Sequence, residues 1–391
     1  MENKYINNNP INGIEYDFKR IRKEFKKLKI PKGVYNPCVI PFELGVKYIP
    51  LISERAIGKT TNLLLLGMCM YKLYSTKIIY IRQRETMITP KIAESLFNVI
   101  ISNNYIELMT DGEYNTVVYK RRKWYYALKT EDDELIVSDD YFCYITSLDN
   151  AEQLKSGFNE PMGDFILFDE FIGSYYQPNE FIKFADLIKT IIRRRLSPLI
   201  FMSANTIDLY SPYFSELEIE EQVQKMKIGE SDVIETAKGT KIYVEIIGGQ
   251  LYSSPEKMNF NKLFFGFKSK KLSSITGDDW ALDNYPHIPD SDLIQRGIYI
   301  KFHNKYFAVD IRYNSDIGYF CAVHRATKTH DDSLIFSDAQ TEKHNEIYTM
   351  KNNKYGKRII DFYLDRKFYY SDNTVGNAVT NFFKIKGYFL K

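Results

Sequence analysis

The chain has 391 residues, enough to bury a full core and to form two domains, and its 53 Lys and Arg nearly balance its 50 Asp and Glu. The net charge of +3 excludes a global attraction to nucleic acid, so any such contact must come from local patches. Cys38, Cys69, Cys143 and Cys321 lack metal-ligand spacing, which excludes a zinc ribbon and predicts reduced thiols in a cytosolic protein; no signal peptide or membrane span is expected, because the longest apolar run, Leu63 to Met70, is too short.

Ile14, Phe18, Ile21, Phe25 and Leu28 recur at helical spacing and predict an amphipathic helix, with Lys19, Arg20, Arg22, Lys23, Lys26, Lys27 and Lys29 on its other face. A solvated basic face packed on the rest of the domain is the commoner outcome, and docking on a partner or on nucleic acid the alternative. Pro31, Gly33 and Pro37 end the helix, and Val46 to Ile52 reads as a strand in which Pro50 is awkward, since proline cannot donate to a central ladder.

Ser53-Glu54-Arg55-Ala56-Ile57-Gly58-Lys59-Thr60 follows, with the spacing G-x-x-x-x-G-K-[ST] and Ser53 in place of the leading glycine. In such a loop the backbone N–H groups wrap phosphates, Lys59 places a charge against the β and γ oxygens, and the Thr60 hydroxyl ligates Mg²⁺. The helix opening at Thr61 sets its positive N-terminal end beneath them. Taken alone, Gly58-Lys59-Thr60 favours the phosphate-binding reading only modestly over an ordinary solvent-facing turn before a buried helix.

Lys77 to Arg82 reads as a strand, and Ile92, Leu96 and Val99 mark a helix. Strands are expected at Thr116 to Leu128, Glu134 to Val137 and Tyr141 to Thr146. The run Lys120-Arg121-Arg122-Lys123-Trp124 lies on a hairpin and suits phosphate contact, with a solvated surface turn as the equal alternative; Lys155 is a weaker DNA-binding candidate. Phe165-Ile166-Leu167-Phe168-Asp169-Glu170 is then a buried strand presenting two carboxylates, Asp169 to hold Mg²⁺ and Glu170 to polarise a water towards the γ-phosphate. An acidic pair can simply end a strand, but both elements in one chain and in this order favour ATP hydrolysis.

Phe181, Phe184, Ala185, Ile188, Ile191 and Ile192 define an amphipathic helix over 179–195 that ends in Arg193-Arg194-Arg195. Leu199 to Asn205 is another buried strand, and Asn205 stands where a polar group can sense the γ-phosphate. After a strand at Lys241 to Ile247 the pattern weakens to about Asp292, and closely spaced strands from Tyr299 to Ser337, a last strand at Phe368 to Ser371 and a helix from Asp372 to Phe383 complete the chain. Near-continuous apolar strands alternating with helices imply an α/β fold with a parallel sheet covered on both faces.

On the Arg55-containing P-loop, Phe168-Asp169-Glu170-Phe171, Phe201-Met202-Ser203-Ala204-Asn205-Thr206 and Ser211-Pro212-Tyr213-Phe214, the chain resembles the DNA-packaging (encapsidation) ATPases of small tailed phages, relatives of large terminases. The resemblance covers most of the chain. It implies a P-loop NTPase domain of the ASCE type over 1–250, a linker over 251–296 and a smaller RNase H-like α+β domain over 297–391. It further implies a homomeric ring, typically a pentamer, that uses ATP and Mg²⁺ to drive double-stranded DNA into a prohead, in the host cytoplasm at the portal vertex, with a structural RNA as a further partner. Arg55 would respond to the nucleotide state. One of Arg193, Arg194 and Arg195, with Arg194 as the candidate taken forward, would enter a neighbour's site, although helix-capping is the commoner use of such arginines. Asp310, Asp338 and Asp372 occupy suggestive places for two-metal nuclease chemistry, but acids at strand ends and helix starts are also ordinary turn and cap residues. A vestigial nuclease domain is favoured over an active one, and a nucleotide-gated binding protein without motor activity is the alternative of a different class.

Overall fold

A computed structural model describes residues 13–53, 57–155, 163–173, 176, 179–204, 211–248, 285–302, 305–330 and 332–390. Glu54, Arg55, Ala56 and Asn205, and most of the expected linker, lie outside the described residues. The elements in chain order are α1 (Phe18–Lys26), β1 (Tyr48–Ser53), α2 (Lys59–Tyr74), β2 (Ile78–Arg82), α3 (Pro90–Ser95), α4 (Asn98–Ser102), α5 (Tyr105–Met109), β3 (Thr116–Lys120), β4 (Lys123–Lys129), β5 (Leu135–Ser147), α6 (Ala151–Lys155), β6 (Phe165–Asp169), α7 (Glu180–Ile192), β7 (Leu199–Ala204), α8 (Pro212–Glu216), α9 (Glu220–Lys225), β8 (Ser231–Glu235) and β9 (Lys241–Ile247). They continue as β10 (Asp292–Gln295), β11 (Ile298–Phe302), β12 (Lys305–Asn314), β13 (Gly318–Ala326), β14 (Leu334–Ser337), β15 (Glu346–Ile347), α10 (Lys354–Leu364), β16 (Phe368–Tyr370) and α11 (Asn373–Ile385).

Two compact units result: Met1–Gly173 with Phe181–Ile207 and Lys225–Trp280, and Ser174–Glu180 with Asp208–Gln224 and Ala281–Lys391. The expected division is 1–250, a linker over 251–296 and 297–391; here described residues of 174–180 and 208–224 group with the C-terminal unit instead of the first.

The first unit is built on a nine-stranded sheet of order β3-β4-β5-β2-β6-β7-β1-β9-β8. Its six middle strands, β5 to β9 in that order, are parallel; β3, β4 and β8 extend the edges antiparallel. β6 and β7 are buried along their whole length, which is why they read as unbroken apolar runs. Pro50 is accommodated on one side: β1 pairs with β7 continuously from Tyr48 to Ile52, whereas its pairs with β9 fall at Tyr48 and then from Leu51, passing over Pro50. α2 is almost entirely buried, and Gly67 lets it approach the sheet, since a Cβ there would stand 2.8 Å from Ile78 and 3.0 Å from Phe165. α1 buries Ile21 and Phe25 and exposes Lys19, Arg20, Lys23 and Lys26.

Two expectations are corrected. The helix through Ile92, Leu96 and Val99 is two short helices, α3 and α4, broken at Phe97, and it is Ala93, Phe97 and Ile100 that turn inward, leaving Ile92 and Val99 exposed. The two strands expected over 134–146 are one 13-residue strand, β5.

The second unit has the sheet order β15-β14-β11-β12-β13-β16, with β10 paired to β12. β11, β12 and β13 form an antiparallel meander, and β14 runs parallel beside β11. The order β13-β12-β11-β14-β15 is the RNase H-like arrangement. α10 and α11 cover one face, where Ile359, Tyr363, Val379 and Phe382 meet Ile298, Ile300 and Phe302. α10 has no counterpart in the sequence reading. Among the described residues, no helix is long and apolar enough to cross a membrane.

Candidate active site

In a parallel sheet, ligands bind outside the carboxyl ends of the strands. At that edge β1 ends in Ser53 and α2 begins at Lys59, with Gly58 as N-cap at φ 76°, a conformation that favours glycine. The entry to α2 is pinned from behind, because the Tyr35 N–H donates to the Ile57 carbonyl at 2.8 Å and the Asn62 amide reaches the Tyr35 carbonyl. Lys59 is 3% exposed and donates to the hydroxyl of Ser53, the residue in the leading-glycine position. Burial pulls the ammonium down to about 8, against the opposing charges of Asp169 and Glu170. Thr61 follows within the first turn, partly exposed.

β6 lies between β2 and β7 and delivers Asp169, 4% exposed, to the same edge. Thr60 Oγ1 stands 3.1 Å from Asp169 Oδ1 and 3.3 Å from Oδ2. Ser203 on β7 donates to Oδ1 at 2.8 Å, and Tyr80 on β2 donates to Oδ2 at 2.6 Å. Arg82, the last residue of β2, donates through Nη1 to Asp169 Oδ2 and to the Tyr80 hydroxyl, each at 3.3 Å, and through Nη2 to Glu170 Oε2 at 2.6 Å. Burial and then the neighbouring Asp169 push the Tyr80 phenol well above its ordinary range, so it stays a donor. Burial opposes the charge on Arg82, but Tyr80, Asp169 and Glu170 outweigh it and raise its guanidinium above the ordinary value. Glu170 holds φ at 54°, the left-handed region that non-glycine residues adopt at a cost. The chain beyond it is tied back by Gln83, whose side chain donates to the Phe171 carbonyl at 2.9 Å, and by Phe171 N–H to the Ser203 carbonyl at 3.1 Å.

The sequence reading did not single out Tyr80, Arg82 or Ser203 as site residues. A signal existed: Lys77 to Arg82 is an apolar run ending in charge, as the acidic strand is, and each such parallel strand places its C-terminal residue at the same edge. The structure brings Ser53, Lys59, Thr60, Asp169 and Glu170 together.

The remaining candidates have other partners. On the β3–β4 hairpin, Trp124 is fully buried and donates to the Ala93 carbonyl at 3.3 Å, so its ring belongs to the core rather than to a base-stacking surface. Arg122 is ion-paired to Glu85, which also accepts from Ser147 at 2.9 Å and Asn150 at 2.6 Å. Lys123 lies 3.8 Å from the centroid of the Tyr141 ring, and Lys120 and Arg121 are exposed. Lys155 pairs with Asp186 at 3.1 Å. Arg193 and Arg194 are exposed at the end of α7, whereas Arg195 turns inward: Nε meets Asp164 Oδ1 at 2.6 Å and Nη2 caps the Ile191 carbonyl at 3.0 Å.

In the second unit, Asp372 caps α11, accepting from the Val375 N–H at 2.9 Å. Asp310 lies on the second strand, β12, with Arg296 at 3.9 Å, and Asp338 follows β14. β11, the first strand of the RNase H-like order, carries no carboxylate and presents Lys301, paired to Glu346 at 3.0 Å. Among the described residues, no group of three or more His, Cys, Asp or Glu side chains is placed to hold a metal.

The strand order, the glycine-led helix start and the acidic strand beside it define a P-loop NTPase fold, here joined to an RNase H-like unit. This fold is shared, over about nine-tenths of the chain, with solved phage DNA-packaging motor proteins. It is similar to the Phi-28 gp11 DNA packaging motor, with a TM-score of 0.56 and 16% identity over 91% of this chain and 98% of that one. It is likewise similar to a chain of the bacteriophage Phi-29 viral genome packaging motor assembly, with a TM-score of 0.55 and 19% identity over 90% of this chain and 99% of that one. No protein-family model matches the chain, and no curated protein does.

Proposed function

We propose that the chain is the ATPase subunit of a DNA-packaging motor, which hydrolyses ATP to translocate double-stranded viral DNA into a prohead as a ring of identical subunits at the portal. The observation that carries this reading is the placement of Thr60 against Asp169 beside the buried Lys59. A hydroxyl and a carboxylate 3.1 Å apart are hard oxygen ligands of the kind Mg²⁺ takes, which fits the ion expected with ATP. When bound, Mg²⁺ would neutralise charge on the β and γ phosphates.

Lys59 and the first turn of α2 bind and orient the triphosphate. Glu170 takes up a proton from the attacking water, and Arg82, fixed to Glu170 Oε2, sets the direction in which that carboxylate faces. Arg194, exposed at the end of α7, is available to a neighbouring subunit, while Arg195 is committed to Asp164. Lys120 and Arg121 at the hairpin turn are the residues of the basic run that remain exposed for phosphate contact. The RNase H-like unit serves this motor as a binding domain rather than a nuclease, because Lys301 stands on its first strand and Asp372 is spent on capping.

Steady-state ATP hydrolysis with and without double-stranded DNA tests the proposal. Turnover that rises with DNA, disappears in Lys59→Ala, and is lost in Glu170→Gln with nucleotide binding retained is the expected result. ATP binding coupled to assembly, with no hydrolysis in the wild type and no effect of Glu170→Gln on assembly, would instead indicate a gated binding protein, and turnover that DNA does not raise would count against translocation of double-stranded DNA.

A further inference from the structure

Asp169 is held by more neighbours than a metal-binding carboxylate needs for its own solvation. An ionised carboxylate offers about four lone-pair sites. Tyr80 and Arg82 occupy Oδ2 at 2.6 and 3.3 Å, and Ser203 occupies Oδ1 at 2.8 Å, so the less crowded oxygen is Oδ1, which Thr60 approaches at 3.1 Å against 3.3 Å to Oδ2. The three donors come from the two strands that flank β6, so the sheet itself sets the plane of the carboxylate. Tyr80 is 3% exposed and Ser203 1%, so both hydroxyls hold Asp169 from within the sheet.

We propose that Tyr80 and Ser203 are positioning residues for the metal, which orient Asp169 so that its remaining Oδ1 lone pair and the Thr60 hydroxyl face one cation. The proposal rests on the ATPase reading above. Outer donors of this kind are worth about 10- to 100-fold in metal affinity. Tyr80→Phe removes the 2.6 Å donor on Oδ2 and keeps the ring that fills the core, so the carboxylate is held only by Arg82 and Ser203 and its plane is less tightly set.

Mn²⁺ binding, read by electron paramagnetic resonance in the presence of a non-hydrolysable ATP analogue, tests it on the full-length protein. Tyr80→Phe is expected to weaken Mn²⁺ about 10- to 100-fold while analogue binding in EDTA stays at the wild-type level. Ser203→Ala should act in the same direction and Ser203→Thr should restore binding, which separates an orienting hydroxyl from a loss of packing. Wild-type Mn²⁺ affinity in both Tyr80→Phe and Ser203→Ala would overturn the proposal. Absence of analogue-dependent Mn²⁺ uptake in the wild type would overturn the ATPase reading and this one with it.

Discussion

Lys59 shows how burial and charge compete at a single residue. Desolvation lowers its ammonium to about 8, and Asp169 and Glu170, the two acidic groups facing it, keep it from falling further. Phosphate binding needs the charged form. Nucleotide affinity is therefore expected to be level below about pH 8 and to weaken towards tenfold per unit above it, as the free protein loses the proton that the complex requires. A fluorescent ATP analogue titrated between about pH 6.5 and about pH 9.5 checks this, with Lys59→Arg as the variant whose affinity should not bend in that range. The same shift has a consequence for folding, with the opposite slope. A lysine whose folded value lies below its unfolded value penalises the folded state while it is charged, so this contribution becomes less unfavourable as pH rises from about 8 towards the unfolded value. Ser53 belongs to the same account: in the leading-glycine position it supplies a hydroxyl that accepts from Lys59, a role no glycine could take.

At the scale of elements, the joint between α7 and β7 is where two uses of arginine separate. Asp164 is 1% exposed and accepts from Arg195 at 2.6 Å, from Tyr16 at 3.3 Å and from Ser197, so it is a buried charge with one cationic partner among these three. Removing one partner of a buried pair costs about 3–5 kcal/mol, because the other charge remains desolvated. Arg195→Met is expected to lower unfolding free energy by roughly that amount in a urea titration, with nucleotide affinity unchanged, since Asp164 precedes β6 and Asp169 ends it, about 17 Å away at the usual rise per residue. A stable Arg195→Met protein that has lost DNA-stimulated turnover would instead mark Arg195 as the group offered to a neighbour. Helical period is a weaker guide than such contacts. The inward face over 90–102 is Ala93, Phe97 and Ile100, with Leu96 packed beside it, and a face extrapolated through Ile92, Leu96 and Val99 is one residue out of phase, which leaves Ile92 and Val99 in water. The basic hairpin has a similar lesson: a compact run in sequence is divided between the core at Trp124, an ion pair with Glu85 at Arg122, the Tyr141 ring at Lys123 and solvent at Lys120 and Arg121.

For the whole molecule, the RNase H-like order raises the question of cleavage, and the residues on it answer through their present partners. Lys301 occupies the first strand in an ion pair with Glu346, Asp372 is bound to backbone, and Asp310 is on the second strand. Supercoiled plasmid incubated with the protein and Mn²⁺ is expected to remain uncut under conditions in which ATP is hydrolysed; nicking that Asp338→Asn abolishes would show a working nuclease instead. The sequence by itself determined the features carried by neighbouring residues: the P-loop spacing, the apolar run ending in Asp169-Glu170, the Arg193 to Arg195 cluster and the closely spaced C-terminal strands, because backbone reach and local burial write these as short patterns. Strand order is different, since it follows from pairings between segments far apart in the chain. Only the tertiary structure set β2 and β7 on either side of β6, and that placement is what brings Tyr80, Arg82 and Ser203 onto the acidic pair. It also decided that the described residues 211–224 belong with the C-terminal unit, a grouping that does not follow from their order in the chain.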